Sequence, residues 1–539
     1  MSRPLRIALL LLVCGIAFWW RLGYLGLIDP DEPFYAQTTR EMLRAGDWVT
    51  PRIFDHPQFE KPIAIYWLSM ASFRAFGATE FAARFPAALF ATLLVFLTYA
   101  FAARVLGRRT GFLAAIVLAT GVEVIVSARM MLTDMVFAAF VCGSAFALWL
   151  AAAEERLRER WFLAACALSG LAVLTKGPLG LLLPGLALAA LLVTRRSPIP
   201  SRPAPLIAGA ALFAVVAIPW YAIMLRLYGW LYFDSFLMHE NVSRFFHAEH
   251  PGNNRVYFYP GILIGGSIPW MPLLGVLALR ARGGALWSAV PRWLGAWGLL
   301  CLLFFTLAAS KLPSYVLFLF VPLSILLGHA LETLLREGTR SPAERWTMAA
   351  LGLAQAAAFL AAPRLTPYAT LAGPLALVGG CLLVALLLQA RRVSTPWTVA
   401  SAATAPVLVL ACLGWAGSTM DGILSTRALA KTVAADAASS GPVLTSPILA
   451  RGVAYYTSRP VAVLSTRPQP FYTPHPLPVV VGAEGLARYV DSQGPSLCVL
   501  TNGDWRRFHS NLLGDSWSVE DTRGDKVVAR VSAGAEGAR

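Results

Sequence analysis

Only 14% of the residues in this chain are charged, yet eight ionisable ones stand in short polar stretches between apolar runs. They are Asp31, Glu60, Lys61, Asp134, His239, Glu240, Arg244 and Lys311. A carboxylate beside a cation can serve acid–base chemistry, and fixed Lys and Arg can hold an anionic leaving group by preorganised charge. Imidazole and carboxylate oxygens also suit zinc, manganese or magnesium, which makes His56, Glu60, His239 and Glu240 a candidate metal set. Each stretch has an ordinary reading as well. Asp29, Asp31 and Glu32 suit the acidic start of a helix, Thr133-Asp134 a helix cap, and Glu60-Lys61 a surface ion pair of little energetic weight.

What positions these residues is set by the apolar runs around them. The 539 residues are 57% hydrophobic, with a mean hydropathy of +0.62, and runs of membrane-spanning length recur through about residue 415. Their length matches helices crossing about 30 Å of hydrocarbon, not the short alternating segments of a β-barrel. The run Ile7–Trp20 follows Arg3 and Arg6 but lacks a small-x-small cleavage pattern, so it reads as an uncleaved first span.

The +16 net charge is split into small clusters, which argues against a nucleic-acid surface and reports topology instead. The clusters are Arg3/Arg6, Arg104/Arg108/Arg109, Arg156/Arg158/Arg160, Arg195/Arg196/Arg202, Arg280/Arg282/Arg292, Arg336/Arg340/Arg345 and Arg391/Arg392. Each adjacent pair encloses two apolar runs, as required if every cluster faces the cytoplasm. The expected spans are 6–24, 81–103, 112–127, 134–152, 161–176, 178–194, 205–225, 261–279, 293–309, 314–332, 346–362, 369–390 and 397–415.

That arrangement leaves 25–80, 128–133, 226–260, 310–313 and 363–368 outside, and with them seven of the eight ionisable residues, while Asp134 opens the fourth span at the same face. Asp31–Arg44 is expected as an amphipathic helix. Pro62–Phe76 carries Ile63, Tyr66, Trp67, Met70 and Phe73 as a stripe suited to lying in the membrane interface. Residues 1–418 therefore form a membrane domain of about thirteen helices, and 419–539 a small extracytoplasmic α/β domain. In the latter, short apolar runs (Pro442–Leu444, Val461–Leu464, Leu477–Val481, Leu497–Leu500) alternate with helical patterns. Helix centres almost free of charge argue against an ion-coupled transporter, which would place ionisable groups at mid-bilayer. The seven cysteines contain no C-x-x-C pair and read as small core residues.

The polar stretches also run in a specific order: D-E-P-F-Y-A-Q-T-T-R-E-M (31–42), G-D-W-V-T-P-R (46–52), F-E-K-P-I-A-I-Y-W (59–67), M-L-T-D-M (131–135), L-T-K-G-P (174–178), H-E-N-V-S-R-F (239–245), G-S-I-P-W (266–270) and K-L-P-S-Y (311–315). This ordered set resembles the polyprenyl-phosphate-sugar glycosyltransferases of the GT-C fold. The nearest branch is the bacterial aminoarabinose lipid A transferases, related to the protein O-mannosyltransferases. The resemblance implies a polytopic helical membrane enzyme. Its donor would be a sugar on undecaprenyl phosphate, presented at the outer face of the inner membrane, and its acceptor lipid A or another envelope glycolipid. It implies catalytic roles for Asp31 and Asp134, contacts to the donor phosphate from Lys61, Arg244, Lys311 and Tyr315, and Glu60, with His239 and Glu240, as ligands of a divalent metal. Two positions depart from the family pattern: Phe34 stands where those enzymes tend to have Arg, and Asn241 where they tend to have His. A peptide-hydroxyl acceptor, or a role in moving lipid-linked sugars, are the competing expectations.

Overall fold

The computed structural model describes residues 1–194, 196–249, 251–282, 284, 288–365, 372–390, 394–415, 417–436, 441–468, 477–510 and 517–532. Arg195, Arg391 and Arg392, three of the expected cytoplasmic arginines, lie outside the described residues. So does part of the expected outer segment 363–368.

Each of the thirteen expected spans contains helix. The first ten helices are α1 (Arg3–Cys14), α2 (Asp31–Ala45), α3 (Ala64–Phe76), α4 (Glu80–Val105), α5 (Arg108–Ala119), α6 (Val122–Ala128), α7 (Asp134–Ala153), α8 (Arg158–Lys176), α9 (Leu179–Val193) and α10 (Pro203–Tyr232). Among the described residues, five helices are long and apolar enough to cross a bilayer, and up to eight spans result if each of three bent pairs counts as one. The shortfall from thirteen has physical causes: α1 has 12 residues and α9 has 15. Two bends brace each other. The α5–α6 pair turns by 64° at Thr120-Gly121, and Phe258–Gly266 turns by 114° into Met271–Arg282 around Pro269. Buried Trp270 donates its indole N–H to Thr120 Oγ1 at 2.8 Å, and Val122 N donates to Ile268 O at 3.0 Å. Polar groups freed by each break thus find partners on the other, as an apolar environment requires.

α2 and α3 form a layer over these helices. α2 ends at Gly46, whose φ of 65° permits the left-handed stop. The stripe on α3 does not lie in an interface. Ile63, Tyr66, Met70 and Phe73 are buried against Phe34, Tyr35, Leu174, Trp220 and Phe236, and only Trp67 is turned outward. Aromatic mass placed beside a second amphipathic helix finds protein to bury against, so its apolar face meets a core and not lipid.

α10 breaks at Gly229 (φ 55°), a conformation L residues rarely adopt, and continues as a π-helical segment, Phe233–Ser243. Trp230 and Leu231, just past the break, are exposed at 78% and 63%. Expected outer segment 226–260 begins here.

Beyond residue 441 the chain forms a six-stranded sheet in the order β5-β4-β3-β6-β8-β7, after a two-residue hairpin β1 (Arg52–Ile53) and β2 (His56–Pro57) near the N-terminus. The strands are β3 (Val443–Thr445), β4 (Val461–Ser465), β5 (Val479–Val481), β6 (Ser496–Thr501), β7 (Trp517–Arg523) and β8 (Lys526–Val531). β3 to β6 pair in parallel, matching the four apolar runs in the sequence, while β7 and β8 add an antiparallel edge. Neither β7 nor β8 was among the expected strands: β7 is largely solvated and carries no apolar run, and the apolar residues of β8 are interrupted by Arg530.

One helix of this region, Ala450–Thr457, seats directly on α2. Arg40 donates to Tyr455 O at 2.8 Å, and the Tyr456 hydroxyl accepts from Leu27 N at 2.7 Å. At Gly452 a Cβ would lie 2.2 Å from Asp29 Oδ1 and 2.3 Å from Thr426 Oγ1, so only glycine allows this approach.

Candidate active site

α2 begins at Asp31, and the next residue anchors it. Glu32 is fully buried and its two oxygens accept four hydrogen bonds. Oε1 receives Arg84 Nε (2.9 Å) and Met131 N (2.7 Å); Oε2 receives Arg84 Nη2 (2.5 Å) and Ile28 N (2.7 Å). Arg84, on α4, uses its remaining donors on the carbonyls of Leu22, Leu25 and Gly26. Glu32 is therefore a buried tie joining α2, α4 and the 128–133 turn, not a solvated cap. It fixes Asp31 on one side and, three residues beyond Met131, Asp134 on the other.

Asp31 points into a cavity of about 1560 Å³ bordered by four of the segments expected outside, the ends of α7 and α8, and the Ala450–Thr457 helix. Protein surrounds the carboxylate although the cavity exposes it. Burial raises its pKa above the ordinary value, Arg451 pulls it back in part, and Glu60 pushes it up. Thr133 makes no side-chain cap, and Asp134 pairs across the cavity wall with Lys176 at 2.5 Å. The Lys176 ammonium also lies 4.8 Å from the centre of the Tyr315 ring.

Gln58 shapes the F-E-K-P loop by donating to the Tyr66 hydroxyl at 2.6 Å and accepting from Glu60 N at 3.0 Å. Glu60 and Lys61 do not pair through their side chains. Lys61 Nζ donates to the Glu60 carbonyl and to Glu240 Oε2, each at 3.0 Å. Burial works against its charge, but the Glu240 and Glu60 carboxylates outweigh that, and its pKa stands above the ordinary lysine value. Arg244 reaches the same Glu240 oxygen at 2.8 Å and Glu249 at 2.7 Å. One carboxylate thus binds two cations, Arg244 one helical turn away and Lys61 179 residues away in sequence.

Asp31, Glu60, Lys61, Asp134, His239, Glu240, Arg244 and Tyr315 all border this cavity. Lys311 does not. It is buried, and its ammonium is spent on Asn254 Oδ1 (2.7 Å) and the Ala308 carbonyl (2.5 Å), where it holds the loop through 254 in place. The expected donor contact from Lys311 is corrected on that ground. Lys176 reaches the cavity beside Lys61.

The metal set also differs from expectation. Among the described residues, His239, Glu240 and Glu249 offer ligand atoms within 4.8 Å of one another; Glu60 stands outside the group, and His56 sits exposed on β2. The donor chemistry does not fit a resident divalent ion. Both carboxylates are already neutralised by Lys61 and Arg244, and His239 is exposed. Asn241, in place of the expected histidine, turns its amide to the Phe236 carbonyl at 2.7 Å. Phe34, the other departure, carries a cation after all: the Arg451 guanidinium lies 4.6 Å over its ring. Lys176 could have been read from L-T-K-G-P, where a lysine precedes a helix-breaking Gly-Pro at an outer end. Glu249 and Arg451 lie in no local pattern.

Comparison with known proteins gives a consistent picture. A family model described as dolichyl-phosphate-mannose-protein mannosyltransferase matches residues 60–223. The chain is 35% identical over 344 residues to an undecaprenyl phosphate-α-4-amino-4-deoxy-L-arabinose arabinosyl transferase of Pseudomonas fluorescens, covering 62% of this chain and 61% of that one. To the Aeromonas salmonicida enzyme of that name it is 32% identical over 410 residues, covering 72% and 73%. The match spans about three fifths of the length of the Pseudomonas relatives. The fold matches the crystal structure of ArnT from Cupriavidus metallidurans bound to undecaprenyl phosphate, with a TM-score of 0.75 at 24% identity, over 98% of this chain and 97% of that one.

Proposed function

The chain belongs to the undecaprenyl phosphate-aminoarabinose arabinosyl transferase family of polytopic GT-C-fold membrane proteins, and on that premise we propose that it transfers a sugar from undecaprenyl phosphate to lipid A. The observation that carries this reading is the convergence of Lys61, Arg244, Lys176, Asp31 and Asp134 on one cavity from distant parts of the chain. In the topology we propose, thirteen spans place the N-terminus in the cytoplasm of a bacterial inner membrane. The cavity and the C-terminal α/β domain (419–539) then face the periplasm, where the clustered arginines are depleted.

In the reaction, the bond between the sugar's anomeric carbon and the donor phosphate oxygen breaks, and its electron pair leaves with undecaprenyl phosphate. An anionic oxygen of the acceptor phosphate supplies the pair for the new bond to the same carbon. Charge is conserved, and with a phosphate acceptor no base is needed. Lys61 and Arg244 stabilise the departing phosphate as its charge grows. Ionised Asp31 faces the positive charge that develops on the sugar, and Asp134 holds Lys176 in the wall. These cations are sufficient in kind for the leaving group, and no step is assigned to a metal.

The test is transfer in proteoliposomes from a synthetic undecaprenyl phosphate sugar to lipid A, read as a mass increase of the acceptor. Asp31→Asn and Lys61→Ala should each abolish transfer in a folded protein, and a chelator should leave wild-type turnover unchanged. Sugar appearing on a peptide hydroxyl, or sugar-lipid crossing the bilayer with its glycosyl–phosphate bond intact, would overturn the proposal.

A further inference from the structure

The helix Ala450–Thr457 comes from the C-terminal region, over four hundred residues after Asp31, and its side chains clamp it to α2 and to the start of α4. The Tyr455 hydroxyl donates to Ala78 O at 3.3 Å and the Tyr456 hydroxyl to Glu80 Oε1 at 3.1 Å. The Arg40 guanidinium lies 4.5 Å over the Tyr455 ring. From this clamped helix Arg451 projects into the cavity, with its side chain only 8% exposed. The ring of Phe34 supports its guanidinium at 4.6 Å.

The cavity cations are not equally neutralised. Lys61 and Arg244 sit 3.0 and 2.8 Å from Glu240, and Lys176 2.5 Å from Asp134. The Arg451 pair with Glu60 is the longest, at 4.0 Å. Burying a guanidinium at the rim of a cavity with so loose a carboxylate partner is costly unless an anion completes it. Lys61 and Arg244 share Glu240, whereas the carboxylate paired with Arg451 is Glu60, and Arg451 also acts on Asp31. A single displacement between two phosphates requires two anions in the cavity at once, on opposite sides of the sugar.

We infer that Arg451, supplied by the C-terminal domain, binds the phosphate of the acceptor, opposite the donor phosphate held by Lys61 and Arg244. The inference rests on the proposed transfer to lipid A only for the identity of the acceptor. A planar guanidinium fixed by stacking matches two phosphate oxygens at once. The C-terminal domain is then part of the substrate site, and the membrane domain alone has an incomplete one.

Binding separates this inference from the proposed activity. The full-length protein, Arg451→Ala and Arg451→Gln are titrated in micelles with three probes: lipid A, lipid A stripped of its phosphates, and undecaprenyl phosphate. Both variants should bind lipid A about tenfold or more weakly, as for loss of a charge-assisted contact. Undecaprenyl phosphate should bind all three proteins within about twofold, and stripped lipid A should not distinguish them, since no charged contact to either is lost. Unchanged lipid A binding in Arg451→Gln overturns the inference, as does a loss confined to undecaprenyl phosphate. An equal loss of all three probes also overturns it, since Arg451 would then serve only to dock the helix. Wild-type protein that binds lipid A through Arg451 but never modifies it would refute the proposed activity and leave this inference standing.

Discussion

Glu32→Gln is the sharpest test of how the site is held. The substitution keeps the side chain's shape but replaces one carboxylate oxygen with an NH2 group. Each oxygen of Glu32 accepts from two N–H donors, so whichever one becomes the amide nitrogen faces two donors and loses both bonds. The buried Arg84 guanidinium also loses its counter-charge. Removing one partner of a buried ion pair costs about 3–5 kcal/mol, because the other charge stays uncompensated. At about 1.4 kcal/mol per factor of ten, the folded-to-unfolded ratio falls by about two to three and a half orders of magnitude. Equilibrium unfolding in mixed micelles reads this directly, followed by tryptophan fluorescence. Because the same carboxylate ties the Met131 turn to α2, transfer measured below the unfolding transition should fall too, as Asp31 and Asp134 lose their fixed separation. Asp31→Asn is the control: it should lose transfer while keeping at least the wild-type midpoint, since burial disfavours the ionised carboxylate it replaces. A Glu32→Gln midpoint within about 0.5 kcal/mol of wild type, the scatter of ordinary surface substitutions, would refute the tie.

Lys176→Met leaves Asp134 without its cation and should reduce turnover by about a hundredfold, the size of one lost electrostatic contact at a reacting centre. Turnover within a few-fold of wild type would exclude Lys176 from the site. The pH profile should show an acid limb set by Asp31, which must be ionised to face a developing positive charge. Burial raises its pKa, so activity should fall as pH drops through a value above the ordinary aspartate range of about 4. The stability linkage has the opposite sense from a salt-bridged carboxylate. In the window between the unfolded and folded pKa values the native state holds more protons, so stability contributed by Asp31 declines as pH rises through it. An acid limb at or below about 4 would contradict this environment for Asp31. Removing Arg451, which lowers that pKa, should move the limb further up.

The helices were legible from apolar length, and so were the polar stretches between them that meet at the cavity, because hydrophobic runs dictate where a chain must bury itself. Asp31, Lys61, Asp134 and Arg244 could be assembled from topology and motif order without coordinates. Which way a side chain turns could not. Lys311 lies beside a cavity residue, Leu312, yet its ammonium closes a loop, and Glu60 and Lys61 are adjacent but pair elsewhere. The α3 stripe had the pattern of an interfacial helix, and only the presence of α2 above it decided that protein covers it. Arg451 was beyond local reading, since nothing in L-A-R-G-V-A-Y-Y announces that this helix will meet the first outer loop. Gly452 carries part of that information, but only once its neighbours Asp29 and Thr426 are known.

The single oxygen of Glu240 shared by Lys61 and Arg244 has a consequence for turnover. An enzyme that held bare cations at this spot would grip its spent carrier lipid as firmly as its transition state and stall after one cycle. If Lys61 and Arg244 hold the donor phosphate as proposed, every arriving phosphate displaces a resident carboxylate, and every departing one is replaced by it. The protein would then carry its own eluting ion, setting a ceiling on product affinity and keeping the site from being poisoned by the lipid it releases.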